Sequence, residues 1–503
     1  MEVLMRLKIL SLFLTAVLLL SSFAGCSSGG TDSTNTDDPA ISNTADNGSA
    51  PTAAEPEETE PKRVEADLPA RDFGGADMNF YGRIYSGAWS AIDIAVHEQN
   101  GEHINDALFN RTIYIEDTYN VVLNPVESGD SGITNAVKNA VSAGDTTWQA
   151  AVGDVYDSGA LASGGSLYDL NQTENLDLSA RWWTQMLNNS LSIAHRLYYA
   201  TGDIFIIDNK ATRVFFFNKD IVRNLGLEDP YSLVKENRWT VETYAAMNEA
   251  VKSDLDGDGA MNRKYDRFGT MAQTTLGSVL YFASGNLLAG KNADDIPELT
   301  CIEPSAIDVM TGIAAHIGGS EAISLSGETT INGSYPDNLV YFQEGRVLFA
   351  PEVLLHIETM RDCEVDIGIL PAPKYTEAQD KFYCYADGWC VNVASIPVTN
   401  PAPGDVAFIM EAMAADSLNN LTPAYYEICL TEKYVRDPES VEMLDLILSS
   451  VVMDNANIFS WADIEGTVAS SIYAGEGIAS SLESKRKAAE KMMSRTIQAF
   501  TGE

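Results

Sequence analysis

Positive charge and histidine are scarce in this chain. Lys and Arg total 32 against 72 Asp and Glu, with five His, for a formal net charge of −40. So acidic a surface repels phosphate backbones, which excludes nucleic acid as a partner and suits a protein kept soluble outside the cell. The histidines (His97, His103, His195, His316 and His356) are scattered, and none has a carboxylate or thiol at a useful local spacing. Each reads as structural or solvated. The Gly-x-Ser-x-Gly, His-Glu-x-x-His, P-loop and dinucleotide patterns are also missing, and with them the common sequence signs of a hydrolase, a metalloprotease or a nucleotide enzyme. Paired carboxylates for glycoside cleavage stay open, because such pairs come from distant positions. Cysteine is sparse too. Cys26, Cys301, Cys363, Cys384, Cys390 and Cys429 match neither a zinc site nor a redox Cys-x-x-Cys. Cys384 and Cys390 could pair across a turn; buried free thiols are the plainer expectation.

The 503 residues, 45% hydrophobic, are enough for two or more domains with a sizeable core. Arg6 and Lys8 precede an apolar run, Ile9 to Leu20, and then Ser21-Ser-Phe-Ala-Gly-Cys26. This is a secretory signal, too short for a spanning helix. Phe-Ala-Gly-Cys is similar to a bacterial lipobox, with Phe23 in place of the usual leucine. It implies cleavage before Cys26 and lipidation, palmitate included, of that residue. Residues 27 to about 68 carry almost no large apolar side chain. Such a segment cannot offset its ordering entropy, so a disordered linker is expected.

Further on, β-like and helix-like stretches alternate. Asp77 to Gly82 reads as a first strand. A helix follows, with Ile104, Leu108, Ile115 and Tyr119 on one face, Asn105 as its N-cap and Asn120 in the left-handed closing position. Val121 to Leu123, a helix ending at Gly144, and a strand from Trp148 to Val152 come next. Leu197 to Ile207 reads as a crossing strand and Arg213 to Asn218 as the first strand of a second lobe. Helices are expected at 240–253, 302–317 and 404–415, and an amphipathic one from Ser480 to Phe500 has Ala489, Met493, Ile497 and Phe500 in one stripe. Alternating units of this kind imply a parallel sheet with helices on both faces. No internal repeat is visible.

One stretch, Gly345 to Ile396, organises the rest. A β-run from Arg346 stops at Ala350-Pro351-Glu352, a second run ends at Pro371-Ala-Pro373, and Tyr383-Cys-Tyr-Ala-Asp-Gly-Trp389 leads into Cys390 to Val393. Strands that stop at Gly or Pro and release aromatic and acidic side chains suit a ligand crevice. A flat indole or phenol covers the apolar face of a sugar while acidic and amide groups take its hydroxyls, as pockets in general combine apolar lining with a few polar groups. Tyr85, Trp89, Trp182, Trp183, Glu352, Tyr385, Asp387 and Trp389 answer this description, and Asp154 and Tyr156 sit just past a strand end. Core packing competes for each aromatic and helix capping for Asp154. Only one of the adjacent Trp182 and Trp183 could line a cleft. Separately, Asp254-Leu-Asp-Gly-Asp-Gly-Ala-Met-Asn-Arg-Lys-Tyr-Asp266 resembles an EF-hand-type loop. Asp254, Asp256, Asp258 and Asn262 would offer oxygens to calcium, with Asp266 one place late as the closing acid. An acidic surface turn is the competing reading. No cofactor is required, and calcium here would be structural.

Four further pieces complete a resemblance: Leu108-Phe-Asn-Arg-Thr-Ile-Tyr-Ile-Glu-Asp-Thr-Tyr-Asn120, Phe215-Phe-Phe-Asn-Lys-Asp220 with Leu225-Gly226, Trp239-Thr-Val-Glu-Thr-Tyr244, and Gly368-Ile-Leu-Pro-Ala-Pro-Lys374. In this order they resemble family 1 extracellular solute-binding proteins of ABC importers, the group that includes maltose and oligosaccharide binders. The resemblance covers most of the chain after about residue 76. It implies an α/β, two-lobed periplasmic-binding-protein-like fold (type II), each lobe a mainly parallel sheet flanked by helices, hinged by crossing strands. It also implies no catalysis, a monomer, an ABC permease as partner and ligand contacts from Trp389 and from the turn at Glu352, where the family carries an aromatic residue. The expected plan is a signal peptide over 1–25, lipidated Cys26 plus linker over 26–75, a first lobe over 76–205, a second over 206–383, a return to the first over 384–425, and C-terminal helices, mainly on the second lobe, over 426–503. The expected function is delivery of a small solute, a carbohydrate or oligosaccharide, from the outer face of the cell membrane. A surface carbohydrate hydrolase and a sensing lipoprotein without a transporter are the alternatives.

Overall fold

In the computed structural model, residues 63–83, 94–129, 132–206, 210–326, 337–360, 362–425 and 437–502 are described. Cys26, Tyr85, Trp89 and Cys429 lie outside them. The strands are, in order, β1 (Ala76–Gly82), β2 (Val121–Glu127), β3 (Ala150–Asp154), β4 (Tyr199–Ala200), β5 (Arg213–Asn218), β6 (Phe268–Gln273), β7 (Ala289–Lys291), β8 (Pro297–Leu299), β9 (Ile323–Ser326), β10 (Val347–Val353), β11 (Ile367–Leu370), β12 (Cys384–Tyr385), β13 (Asn392–Ser395) and β14 (Val451–Val452).

Ten of these strands build two five-stranded sheets, ordered β2-β1-β3-β13-β4 and β9-β6-β10-β5-β11. The two orders are one plan. In each, a first strand is flanked in parallel by the second and third (β1 by β2 and β3; β6 by β9 and β10). Then comes an antiparallel strand that has just arrived from the other lobe: β13 beside β3, β5 beside β10. The edge strand pairs antiparallel with that newcomer. Each sheet is therefore mixed but mainly parallel: four of its five strands run one way and the arriving strand alone is reversed. The arriving strand enters from the hinge side and must run against its neighbours, which local β/α alternation cannot reveal. A repeat invisible in the sequence is thus present in the fold.

Local chemistry explains many boundaries. The helix His103–Tyr119 closes on Asn120 at φ 50°, ψ 56°, and the helix Thr134–Ala143 on Gly144 at φ 67°, left-handed positions that Asn and Gly tolerate. The first of these helices starts one turn earlier than its sequence suggests: Glu102 precedes it without a side-chain cap, and Asn105 instead donates to the Glu98 carbonyl, 2.9 Å. Strand β5, Arg-Val-Phe-Phe-Phe-Asn, is buried on both faces because β10 and β11 flank it and helices cover it. Each of its buried phenylalanines contributes roughly 1.5–3 kcal/mol.

The segment expected to end at Pro351 does not end there. β10 continues through Pro351, opposite Phe215, to Val353. Its other neighbour, β6, pairs only at Val347 and Phe349, so no partner carbonyl misses the proline's absent N–H.

Each sheet has its own core, one around Phe80, Val152, Trp183, Tyr199 and Phe408, the other around Phe215, Phe217, Trp239, Tyr244 and Phe349. Three chain segments join them side by side. Thr212 bridges Ala386, the Asp387 N–H donates to the Ala211 carbonyl at 2.9 Å, and β12 pairs with β14. The last helix, Ile478–Thr501, belongs to both lobes. Its Ile478, Leu482 and Ala489 pack in the second core, whereas Phe500 is fully buried in the first, with its carbonyl accepting from the Tyr198 hydroxyl at 2.9 Å. No helix among the described residues is long and apolar enough to cross a membrane.

Candidate functional site

Strand β3 ends at Asp154, and its carboxylate caps the helix Val155–Ser163 by accepting the Asp157 N–H at 2.8 Å. Arg83, just beyond β1, donates to the same carboxylate at 2.7 Å and to the Trp389 carbonyl at 3.3 Å. Burial raises the Asp154 carboxyl to about 6 despite the guanidinium. Asp154 is therefore a cap and an anchor for the crossing segment.

Two residues on, Tyr156 points toward that segment. Its ring lies 4.8 Å from the Trp389 indole, tilted by 50°, and its hydroxyl donates to Asn457 Oδ1 at 2.9 Å. Trp389 is 61% exposed, an unusual state for so large an apolar group. Gly388 lets the two meet, because a Cβ there would sit 2.7 Å from the Tyr156 ring. Tyr156 and Trp389 line a cavity of about 650 Å³ together with Phe459 and Glu465, with the fully buried Trp461 at its edge. Cavities of this size hold small ligands.

Beneath it lies a charged cluster. Arg213 donates to Asp387 at 2.6 Å and faces Glu352 at 3.6 Å. Asp387 also accepts the Trp389 N–H at 3.1 Å. Glu352 is fully buried within β10 and accepts from Gln273 at 2.9 Å and Asn338 at 3.2 Å, with His356 Nδ1 at 3.2 Å. Burial pushes the Glu352 carboxyl up, but the His356 bond and the Arg213 charge outweigh it and hold the group below its ordinary value. Because β10 runs on past Pro351, Glu352 serves as a sheet-internal counter-ion, one layer removed from the cavity.

Of the residues expected to bind solute, Tyr156 and Trp389 line the cavity; Asp154 and Asp387 position Trp389 from behind. Trp182 and Trp183 do not join them: Trp183 is 1% exposed in the first core and its indole donates to Glu411 at 2.7 Å. Tyr85 lies outside the described residues. Of the loop proposed for calcium, Asp254, Asp256 and Asp266 each offer an oxygen within 4.8 Å of the others. Asp258 and Asn262 instead accept the N–H groups of Ala260 at 2.8 Å and Lys264 at 2.9 Å. Cys384 and Cys390 are buried free thiols and not a pair, as is Cys301.

Residues 111–423, more than half of the chain, match the sequence model of the bacterial extracellular solute-binding proteins. The protein belongs to that family. Solved structures with the same fold include a cyclo/maltodextrin-binding protein complexed with maltotetraose, 12% identical with a TM-score of 0.55 over 84% of this chain and 97% of that one. Another is UspC of M. tuberculosis, 14% identical with a TM-score of 0.54 over 83% and 100%. A third is UgpB from Mycobacterium tuberculosis in complex with glycerophosphocholine, 16% identical with a TM-score of 0.51 over 84% and 100%. A sequence search of curated proteins finds no match. The fold is the two-lobed, type II periplasmic-binding fold, and the family places this solute-binding protein outside the cytoplasm, serving ABC importers.

For a solute-binding protein, the residues that sequence reasoning missed matter as much as those it found. Asn457, Phe459, Trp461 and Glu465 come from a C-terminal stretch assigned only to packing. Ser460, Ala462 and Asp463 in that stretch have φ of 47°, 55° and 54°. Left-handed non-glycine residues cost about 1–3 kcal/mol each and cluster at ligand clamps. No glycine marks the turn. The only available signal was the aromatic pair Phe459 and Trp461 itself.

Proposed function

We propose that this protein is a lipid-anchored, monomeric receptor that captures a carbohydrate or oligosaccharide and hands it, unchanged, to an ABC permease. The observation that carries the reading is the cavity lined by the rings of Tyr156, Trp389 and Phe459, with the fully buried Trp461 stacked on Phe459 at 5.9 Å between ring centroids. Aromatic faces flanked by Asn457 and Glu465 suit a ring with apolar C–H faces and hydroxyl edges. Closure of two lobes about a hinge would bury such a solute. The neighbours with bound maltotetraose and glycerophosphocholine support a hydroxyl-rich solute class. Cleavage before Cys26 and acylation of that residue would tether the domain through an acidic linker.

A thermal-shift screen of mono- and oligosaccharides tests the proposal, because a ligand in excess over its Kd stabilises the folded state. A saturable rise in Tm with a sugar, and recovery of that sugar intact, is expected. Stabilisation by peptides alone, or consumption of the sugar, contradicts it; the second result would favour the hydrolase.

The convergence of Asp254, Asp256 and Asp266 favours a second, structural proposal: calcium held by these oxygens neutralises their mutual repulsion and stiffens the loop.

A further inference from the structure

Glu465 is the acidic residue in the cavity wall. Its carboxylate accepts from Ser278 Oγ at 3.0 Å and from Asn457 Nδ2. Both donors are neutral. Among the described residues no Lys, Arg or His nitrogen pairs with it; Arg213 acts on it from further off, and that guanidinium is already shared between Asp387 at 2.6 Å and Glu352 at 3.6 Å. Asp387 adds further negative potential at Glu465. Nearby, Tyr385 is 5% exposed, and its buried hydroxyl makes no well-formed hydrogen bond among the described residues. Arg495, which also lines the cavity, is exposed.

A carboxylate withdrawn from water without a cationic partner is costly, and an anionic solute would raise that cost. A cation would remove it. The surrounding Tyr156, Trp389 and Phe459 rings add attraction of the same sign, because an aromatic face is electron-rich.

We infer that the solute bears a positively charged amino or quaternary ammonium group, and that Glu465 is the residue that selects it. The inference rests on the cavity being the solute site; where the carbohydrate reading also holds, the solute is an amino sugar. Glu465 acts as the counter-charge, Asn457 and Ser278 fix its orientation, and Trp389 covers the ring. Anionic solutes such as sugar phosphates are rejected.

The test is titration of the purified protein with glucosamine oligosaccharides, their N-acetylated counterparts, choline and spermidine, followed by Tm and by calorimetry. The free-amine sugars are expected to bind at least about tenfold more tightly than the acetylated ones, the difference that a charge-assisted hydrogen bond supplies. E465Q, with the unliganded Tm near wild type, should erase that preference. W389A, altered at an exposed ring, should weaken both sugar forms together. Equal affinity for the amine and its acetylated form, or a preference that survives E465Q, overturns the inference and leaves the carbohydrate reading standing. Binding of choline or spermidine but of no sugar does the reverse. If no probe binds, the inference falls, and the screen of neutral sugars decides the carbohydrate reading.

Discussion

The first lobe reaches the cavity through a strand end and the helix it launches; the second reaches it through a turn in which Ser460, Ala462 and Asp463 all sit at positive φ. The lobes also treat a buried glutamate differently. Glu411, 2% exposed in the first, has the Trp183 indole as donor, and burial raises its carboxyl to about 7. Glu352, fully buried in the second, meets Arg213, His356, Gln273 and Asn338 and is held below its ordinary value. One sheet plan thus supports two electrostatic designs. The first lobe carries a carboxyl that favours its neutral form, while the second builds an ion cluster that braces the crossing segment under Trp389.

Replacing the two glutamates should give opposite signs. E352Q removes one partner of a buried ion cluster and is expected to cost about 3–5 kcal/mol at neutral pH. Glu352 has a depressed value, so its contribution is present at neutral pH and lost as pH falls through the folded value; the gap between E352Q and wild type should close in acid. Urea unfolding at several pH values measures this. E411Q should stabilise by about 2 kcal/mol at pH 8. The folded state holds the Glu411 proton more tightly than the unfolded chain, so wild type loses stability as pH rises from about 4.5 to about 7, whereas E411Q does not. Equal effects of the two replacements would erase the contrast between the lobes.

The third change concerns the turn. A462G removes the Cβ from a left-handed residue and should raise stability by up to about 1 kcal/mol. If the strain holds Trp461 and Glu465 in position, solute affinity falls while Tm rises; a rise in both would show the strain to be incidental. The smallest effect expected is from calcium, which should raise Tm by a degree or two in wild type and not in D254N/D256N. An identical response in both would remove the loop at 254–266 from metal binding.

Legibility follows the same divide. Periodicity and closing residues such as Asn120 and Gly144 gave the first lobe's elements, and a strand end followed by Asp154 and Tyr156 marked one wall of the cavity. The direction of β13 and β5 was hidden, because each is set by a crossing from the other lobe. Glu352 was misplaced because Pro351, in a stretch of β10 that is paired with β5 but not with β6, reads as a stop. The wall at 457–465 was missed because its turns use Ser, Ala and Asp where glycine would have announced them. The stripe Ala489, Met493, Ile497 and Phe500 told that the last helix is half-buried, but not that its two ends enter different cores.

The central claim is that a small solute is held, unaltered, against Trp389 between the lobes. Calorimetric titration of wild type and W389A with the sugar that stabilises the protein most, followed by analysis of the recovered sugar, tests it directly. The account predicts one site per chain, affinity at least about tenfold weaker in W389A, an unchanged unliganded Tm and an intact sugar. Undiminished binding by W389A, or a sugar returned cleaved, would contradict it.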